Sequence, residues 1–143
     1  MMRVRQTIGA TLVIAAVAVT ACGGSSGDGG GEEPATVTPI KGTDLNQVTL
    51  SAEAAKRLGI QTAAVQQDGA QTTVPYGAVV YNADGSTFTY TSPKPRVYVR
   101  APITVVRIAG GRAVLSKGPA VGTAVVTVGS QELYGSEYEV EED

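Results

Sequence analysis

The groups that could do chemistry in this chain are one cysteine and its arginines, tyrosines and carboxylates, because it contains no histidine. Cys22 follows Val19-Thr20-Ala21, an aliphatic residue and then two small ones. Its thiol, as thiolate, is a nucleophile that can be alkylated. The missing histidine removes the usual general base, the His-dependent triads and the commonest metal ligand. A lone cysteine removes intrachain disulfides and cysteine-based zinc clusters. No strand-turn-helix nucleophile motif is present. The expectation is therefore no catalytic residue, no metal, no cofactor and no enzyme. With 11 basic and 13 acidic residues and no basic run, a nucleic-acid surface is not expected either.

The elements around Cys22 explain its placement. Arg3 and Arg5 form a positive start, and an apolar run over 8–19 follows. A positive start, a short apolar core and small residues before a cut site describe a secretory signal. The run is shorter than the roughly 20 residues of a membrane span. With the single cysteine at its end, the segment resembles a bacterial lipoprotein signal. The plainer alternative is an ordinary signal peptide or an N-terminal anchor helix with an incidental cysteine. The lipoprotein reading implies cleavage after Ala21 and a diacylglycerol on Cys22. Two acyl chains give stable anchoring where one is marginal. The protein is then expected on the extracytoplasmic face of the cell membrane. Residues 23–35 are rich in Gly and Ser, and cannot bury enough surface to fold. They read as a tether with a reach of about 20 Å. Removal of residues 1–21 leaves 9 basic and 13 acidic side chains, a balance that does not favour an anionic membrane surface.

Residues 36–138 read as one folded domain of mainly β class. The expectation is a small antiparallel roll or barrel-like sheet with one or two short helices. One helix is legible over 52–58: Ser51 caps its start, Glu53 sits in its first turn, Lys56 and Arg57 lie near its end, and Gly59 closes it. Leu50 and Leu58 are its core anchors. Strands are expected over 60–65, 74–81, 87–91, 96–108, 113–115 and 124–128. Asn82-Ala83-Asp84-Gly85 and Gly110-Gly111 read as hairpin turns. From Val97 to Val105 the odd positions are apolar, but beyond them Val106 and Ile108 take over. That slip of phase predicts a bulge or bend. Pro102 cannot donate to a ladder, so its strand should be an edge or kinked there. The last seven residues hold five acids, Glu137, Glu139, Glu141, Glu142 and Asp143, and read as a solvated tail, with 139–143 outside the domain.

The order of several segments carries a resemblance. Val48-Thr49-Leu50-Ser51-Ala52-Glu53 with Leu58-Gly59-Ile60-Gln61-Thr62-Ala63 resembles the opening of the HlyD-type periplasmic adaptor (membrane fusion) proteins of RND efflux systems. Val74-Pro75-Tyr76-Gly77-Ala78-Val79, Val97-Tyr98-Val99-Arg100-Ala101-Pro102 and Glu132-Leu133-Tyr134-Gly135 resemble parts of their C-terminal membrane-proximal region. In that family a lipoyl-like domain, usually a helical hairpin, and a β-barrel separate the two ends. Here only residues 66–73 join Val65 to Val74. The resemblance thus implies the membrane-proximal domain alone, with the two ends packed together. Without the hairpin it would not bridge two membranes.

Arg96, Tyr98, Arg100 and Tyr134 are the candidate partner-docking residues. Arg107 and Arg112, and the tyrosines at 76, 81 and 90, are weaker candidates of the same kind. Strand arginines also serve as solvated faces that protect edges, and tyrosine is an ordinary sheet residue. The expected function is a lipid-anchored accessory subunit of an envelope efflux or export transporter, of RND or ABC type, acting by protein–protein docking. The alternative is a stand-alone surface lipoprotein that binds a small ligand or a cell-wall component.

Overall fold

A computed structural model describes residues 31–139 of the chain. The expected signal segment with Ala21 and Cys22, most of the tether and residues 140–143 lie outside the described residues. The strands are β1 (Ala35–Pro39), β2 (Asn46–Leu50), β3 (Gln61–Ala64), β4 (Gln66–Asp68), β5 (Gln71–Pro75), β6 (Val80–Tyr81), β7 (Thr87–Lys94), β8 (Val97–Ala109), β9 (Arg112–Lys117) and β10 (Ala124–Val128). Two helices, α1 (Ala52–Leu58) and α2 (Ser130–Glu139), and a 3-10 turn at Tyr76–Ala78 complete the set. The mainly antiparallel β class with two helices is as the sequence implied, and the sheet curls into a half-barrel.

The main path runs β3-β10-β7-β8-β9-β5-β4. β2 joins it against β8, β1 pairs with β2, and β6 pairs with β7. Because adjacent residues of a strand face opposite sides, a strand covered on both sides must be apolar at consecutive positions. β10 meets that requirement: Val125 enters one core and Val126 the other, both fully buried. The first core joins Val48, Leu50, Phe88, Tyr90, Tyr98 and Val126 to Ala54 of α1 and Leu133 of α2. The second joins Val65, Val74, Ile103, Ala113, Leu115 and Val125 inside the curl.

α1 forms as its ends dictate. The Ser51 hydroxyl accepts from the Ala54 N–H at 3.1 Å, and Gly59 turns the chain at φ 63°. Leu50 is buried as expected, whereas Leu58 is only partly buried beside the first core. The strand expected over 74–81 is broken by the turn at Tyr76–Ala78. At that turn Gly77 lies so close to Thr127 that a Cβ would stand 2.7 Å from its carbonyl oxygen. The link over 66–73 is a β4–β5 hairpin rather than an irregular loop, with Gly69 at φ 60°. β1 starts at Ala35, inside the expected tether, and pairs with β2 from Ala35↔Leu50 to Pro39↔Asn46.

The long strand β8 behaves as its pattern required. Val105 faces Leu115 and Arg107 faces Val114, so Val106 is the extra residue of a bulge. Pro102 faces Phe88 of β7 on one side. On the other side β2 has stopped at Val99 and β9 begins only at Thr104, so no ladder bond is asked of the proline there.

The even positions at the start of β8, by contrast, are not solvated, although Pro102, Thr104, Val106 and Ile108 farther along are exposed. Tyr98 is buried and Arg100 half-buried, because α2 lies over that side of the sheet. Glu137, expected in a solvated tail, is instead fully buried within α2.

Candidate functional site

The densest polar cluster lies where α2 crosses β7 and β8. Tyr90 and Arg100 are cross-strand partners, so their side chains leave the sheet together. On α2, Leu133, Tyr134, Glu137 and Tyr138 fall at spacings of three and four and share one helix face. Leu133 is fully buried in the first core, which sets the depth at which Glu137 enters.

Glu137 Oε1 lies 2.7 Å from Arg100 Nη2, with the two side chains 1% and 16% exposed. Tyr90 donates its hydroxyl to Oε2 at 2.6 Å. Asn46 donates its side-chain amide to Oε1 at 3.4 Å. Both carboxylate oxygens are thus engaged, as a buried charge requires. The Arg100 guanidinium also lies over the rings of Phe88 and Tyr138, 5.5 and 5.7 Å from their centroids. Phe88, Tyr90, Tyr134 and Tyr138 form a chain of ring contacts with centroids 4.9 to 5.6 Å apart.

Charge states follow from this packing. Burial, the hydrogen bond to Glu137 and its negative charge push the Tyr90 hydroxyl far above the usual phenol range. Burial works against the charge on Arg100, but the Glu137 carboxylate together with Tyr138 and Tyr90 outweighs it, so the guanidinium is held above its ordinary value. A hydrogen bond with Tyr138 raises the Tyr134 hydroxyl. The cluster is a clamp that holds the last helix to the sheet. Its outer rim, not its buried carboxylate, is what another molecule can reach.

Of the four candidate docking residues, the structure brings Arg100 and Tyr134 together at this rim. Tyr134 is partly buried and Tyr138, which sequence reasoning missed, is 45% exposed. A small cleft of about 150 Å³ between Leu45, Phe88, Arg100 and Pro102 opens beside them. Arg96 stands apart in the β7–β8 turn at φ 65°, exposed, with its guanidinium reaching the Leu50 carbonyl at 3.4 Å. Tyr98 does not belong to an accessible face: it is 4% exposed and packed in the first core. Burial also raises its hydroxyl pKa. The wider tyrosine patch divides in the same way, with Tyr76 and Tyr81 exposed and Tyr90 inside.

The spacing of Leu133, Tyr134 and Tyr138 is the signal that could have revealed α2. Among the described residues, no group of three or more acidic, histidine or cysteine side chains is gathered as metal ligands. Among them also, no helix is long and apolar enough to cross a membrane. Compared with protein-family models, with curated proteins and with solved structures, the chain matches none.

Proposed function

We propose that the protein is a lipid-anchored accessory subunit of an envelope efflux or export transporter, of RND or ABC type. In this reading Cys22 carries the lipid, and the domain docks onto the extracytoplasmic part of the transporter. The observation that carries it is the pairing of the chain's two halves. β2 hydrogen-bonds to β8 and β3 to β10, so residues 46–64 are built into the sheet formed by residues 87–128. The resembled adaptors join their two ends in the same sense, with their other modules inserted between. Here the insertion point corresponds to the β4–β5 hairpin, whose residues 66–70 are all exposed. A domain that closes on itself at that point keeps the membrane-proximal part and loses the reach across a periplasm. The rim of Arg100, Tyr134 and Tyr138 supports docking, since aromatic and arginine side chains are enriched at interface hot spots.

The reading is tested by deleting the gene while leaving neighbouring transporter genes intact. Altered resistance to, or export of, at least one compound in a broad panel is expected. An unchanged profile across the panel counts against the docking role.

A further inference from the structure

A second polar feature lies on the other half of the sheet. The bulge at Val106 decides which way Arg107 points: continued alternation from Ile103 and Val105 would send it into the second core. Instead Arg107 stands opposite Val114, Val114 opposite Thr73, and Thr73 opposite Gln66, one row across four strands. Arg112, two residues before Val114, is the diagonal neighbour of Arg107 on the same face. The two guanidinium groups line a cavity of about 300 Å³ together with Gln66, Gln67, Asp68 and Thr73.

Arg112 is braced. Its Nε and Nη2 donate to the Thr73 hydroxyl at 3.1 and 2.9 Å, and Nη2 also reaches the Thr73 carbonyl at 3.3 Å. Its Nη1 edge has no protein partner among the described residues. Among the described residues Arg107 meets only Asp68, at 3.3 Å, and both of those side chains are about half exposed. Such a surface pair is weak and readily exchanged. Two like charges are therefore diagonal neighbours on one face, and the one carboxylate beside them bonds Arg107 alone, so the Arg112 charge has no counter-ion among the described residues. The donors come from two strands, and arginine pairs its planar fork with phosphate oxygens through charge-assisted hydrogen bonds.

We propose that this cavity is a binding subsite for a phosphate-bearing ligand, with Arg112 as the fixed donor and Arg107 as the donor released from Asp68. The subsite uses residues apart from the docking rim and stands independently of the transporter reading. Phosphate could reach it as a free phosphoester or as a phospholipid headgroup.

The test is calorimetric titration of the purified protein with inorganic phosphate, against sodium chloride at matched ionic strength. Saturable phosphate binding is expected. Arg112→Gln should weaken it at least about tenfold, as loss of a charge-assisted contact does. Asp68→Asn removes the competing carboxylate at an exposed position that the fold does not need, and should tighten binding severalfold. Circular dichroism confirms that each variant is folded. A parallel titration uses phosphatidylcholine vesicles with and without phosphatidylglycerol. Phosphatidylglycerol-dependent binding that inorganic phosphate displaces identifies the headgroup as the source. Binding of soluble phosphate alone identifies a free phosphoester. Phosphate heats equal to those of chloride, or an affinity unmoved by both variants, would overturn the proposal.

Discussion

Replacing Glu137 by alanine tests the clamp between α2 and the sheet. The substitution strands the Arg100 guanidinium, whose side chain is 16% exposed, and leaves the Tyr90 hydroxyl without its 2.6 Å acceptor. Breaking a buried ion pair from one side costs about 3–5 kcal/mol, and an orphaned buried hydroxyl about 1–3 kcal/mol. These losses overlap because both groups share one carboxylate. Arg100 also keeps some solvent and the faces of Phe88 and Tyr138. We therefore expect about 3 kcal/mol of destabilisation, a large share of the 5–15 kcal/mol typical of a domain. At roughly 4–8 °C per kcal/mol for a domain of this size, Tm should fall by about 12–24 °C. Urea unfolding followed by circular dichroism measures it. Glu137→Gln, which keeps a neutral acceptor for Tyr90, should lose less. The double variant Arg100→Met/Glu137→Leu removes both charges and should also be more stable than Glu137→Ala alone. A Glu137→Ala protein within about 0.5 kcal/mol of the wild type would mean that no clamp holds α2 to the sheet, and would return Glu137 to a solvated tail.

Other expectations follow from single features. Ser51→Ala removes the cap on Ala54 and should cost about 0.5–2 kcal/mol in the same urea assay. Gly77→Ala would set a Cβ 2.7 Å from the backbone oxygen of Thr127, which a side-chain rotation cannot relieve. About 1–3 kcal/mol should be lost, and an unchanged Tm would show that the 3-10 turn and β10 separate freely. The Tyr90 hydroxyl has a raised pKa in the folded state, so the folded chain holds its proton more tightly than the unfolded chain does. Its contribution is complete below the unfolded phenol value of about 10 and is lost as pH rises above it. Chemical unfolding between neutral and alkaline pH should show stability falling above that value, and falling less steeply in Tyr90→Phe.

How far the fold was legible in the sequence depended on how local the causes were. α1 carries its own start and stop signals in Ser51 and Gly59, and its span is as read. The bulge at Val106 is written in the change of phase along one strand, and β10 in a run of valines. What escaped was decided by distant residues. β1 and β2 are short, and gain their place from pairing with each other and, for β2, with β8. α2 was hidden because Glu137 occupies the position where an apolar residue would complete its stripe. The arginine that makes this tolerable lies in β8, far away in sequence. For the same reason Arg100 was legible as a candidate but not as a clamp. Tyr98 looked accessible until α2 was seen to cover its side of the sheet. The pairing of Arg107 and Arg112 depended on a register that the bulge sets and that no local pattern states.

The docking role is tested most directly by crosslinking the C-terminally tagged protein in living cells and identifying what it captures by mass spectrometry. A transporter subunit is expected among the specific partners, captured less efficiently when Tyr138 at the rim is replaced by alanine. An abundant, lipidated protein that captures no transporter would contradict it and leave a free-standing surface lipoprotein in its place.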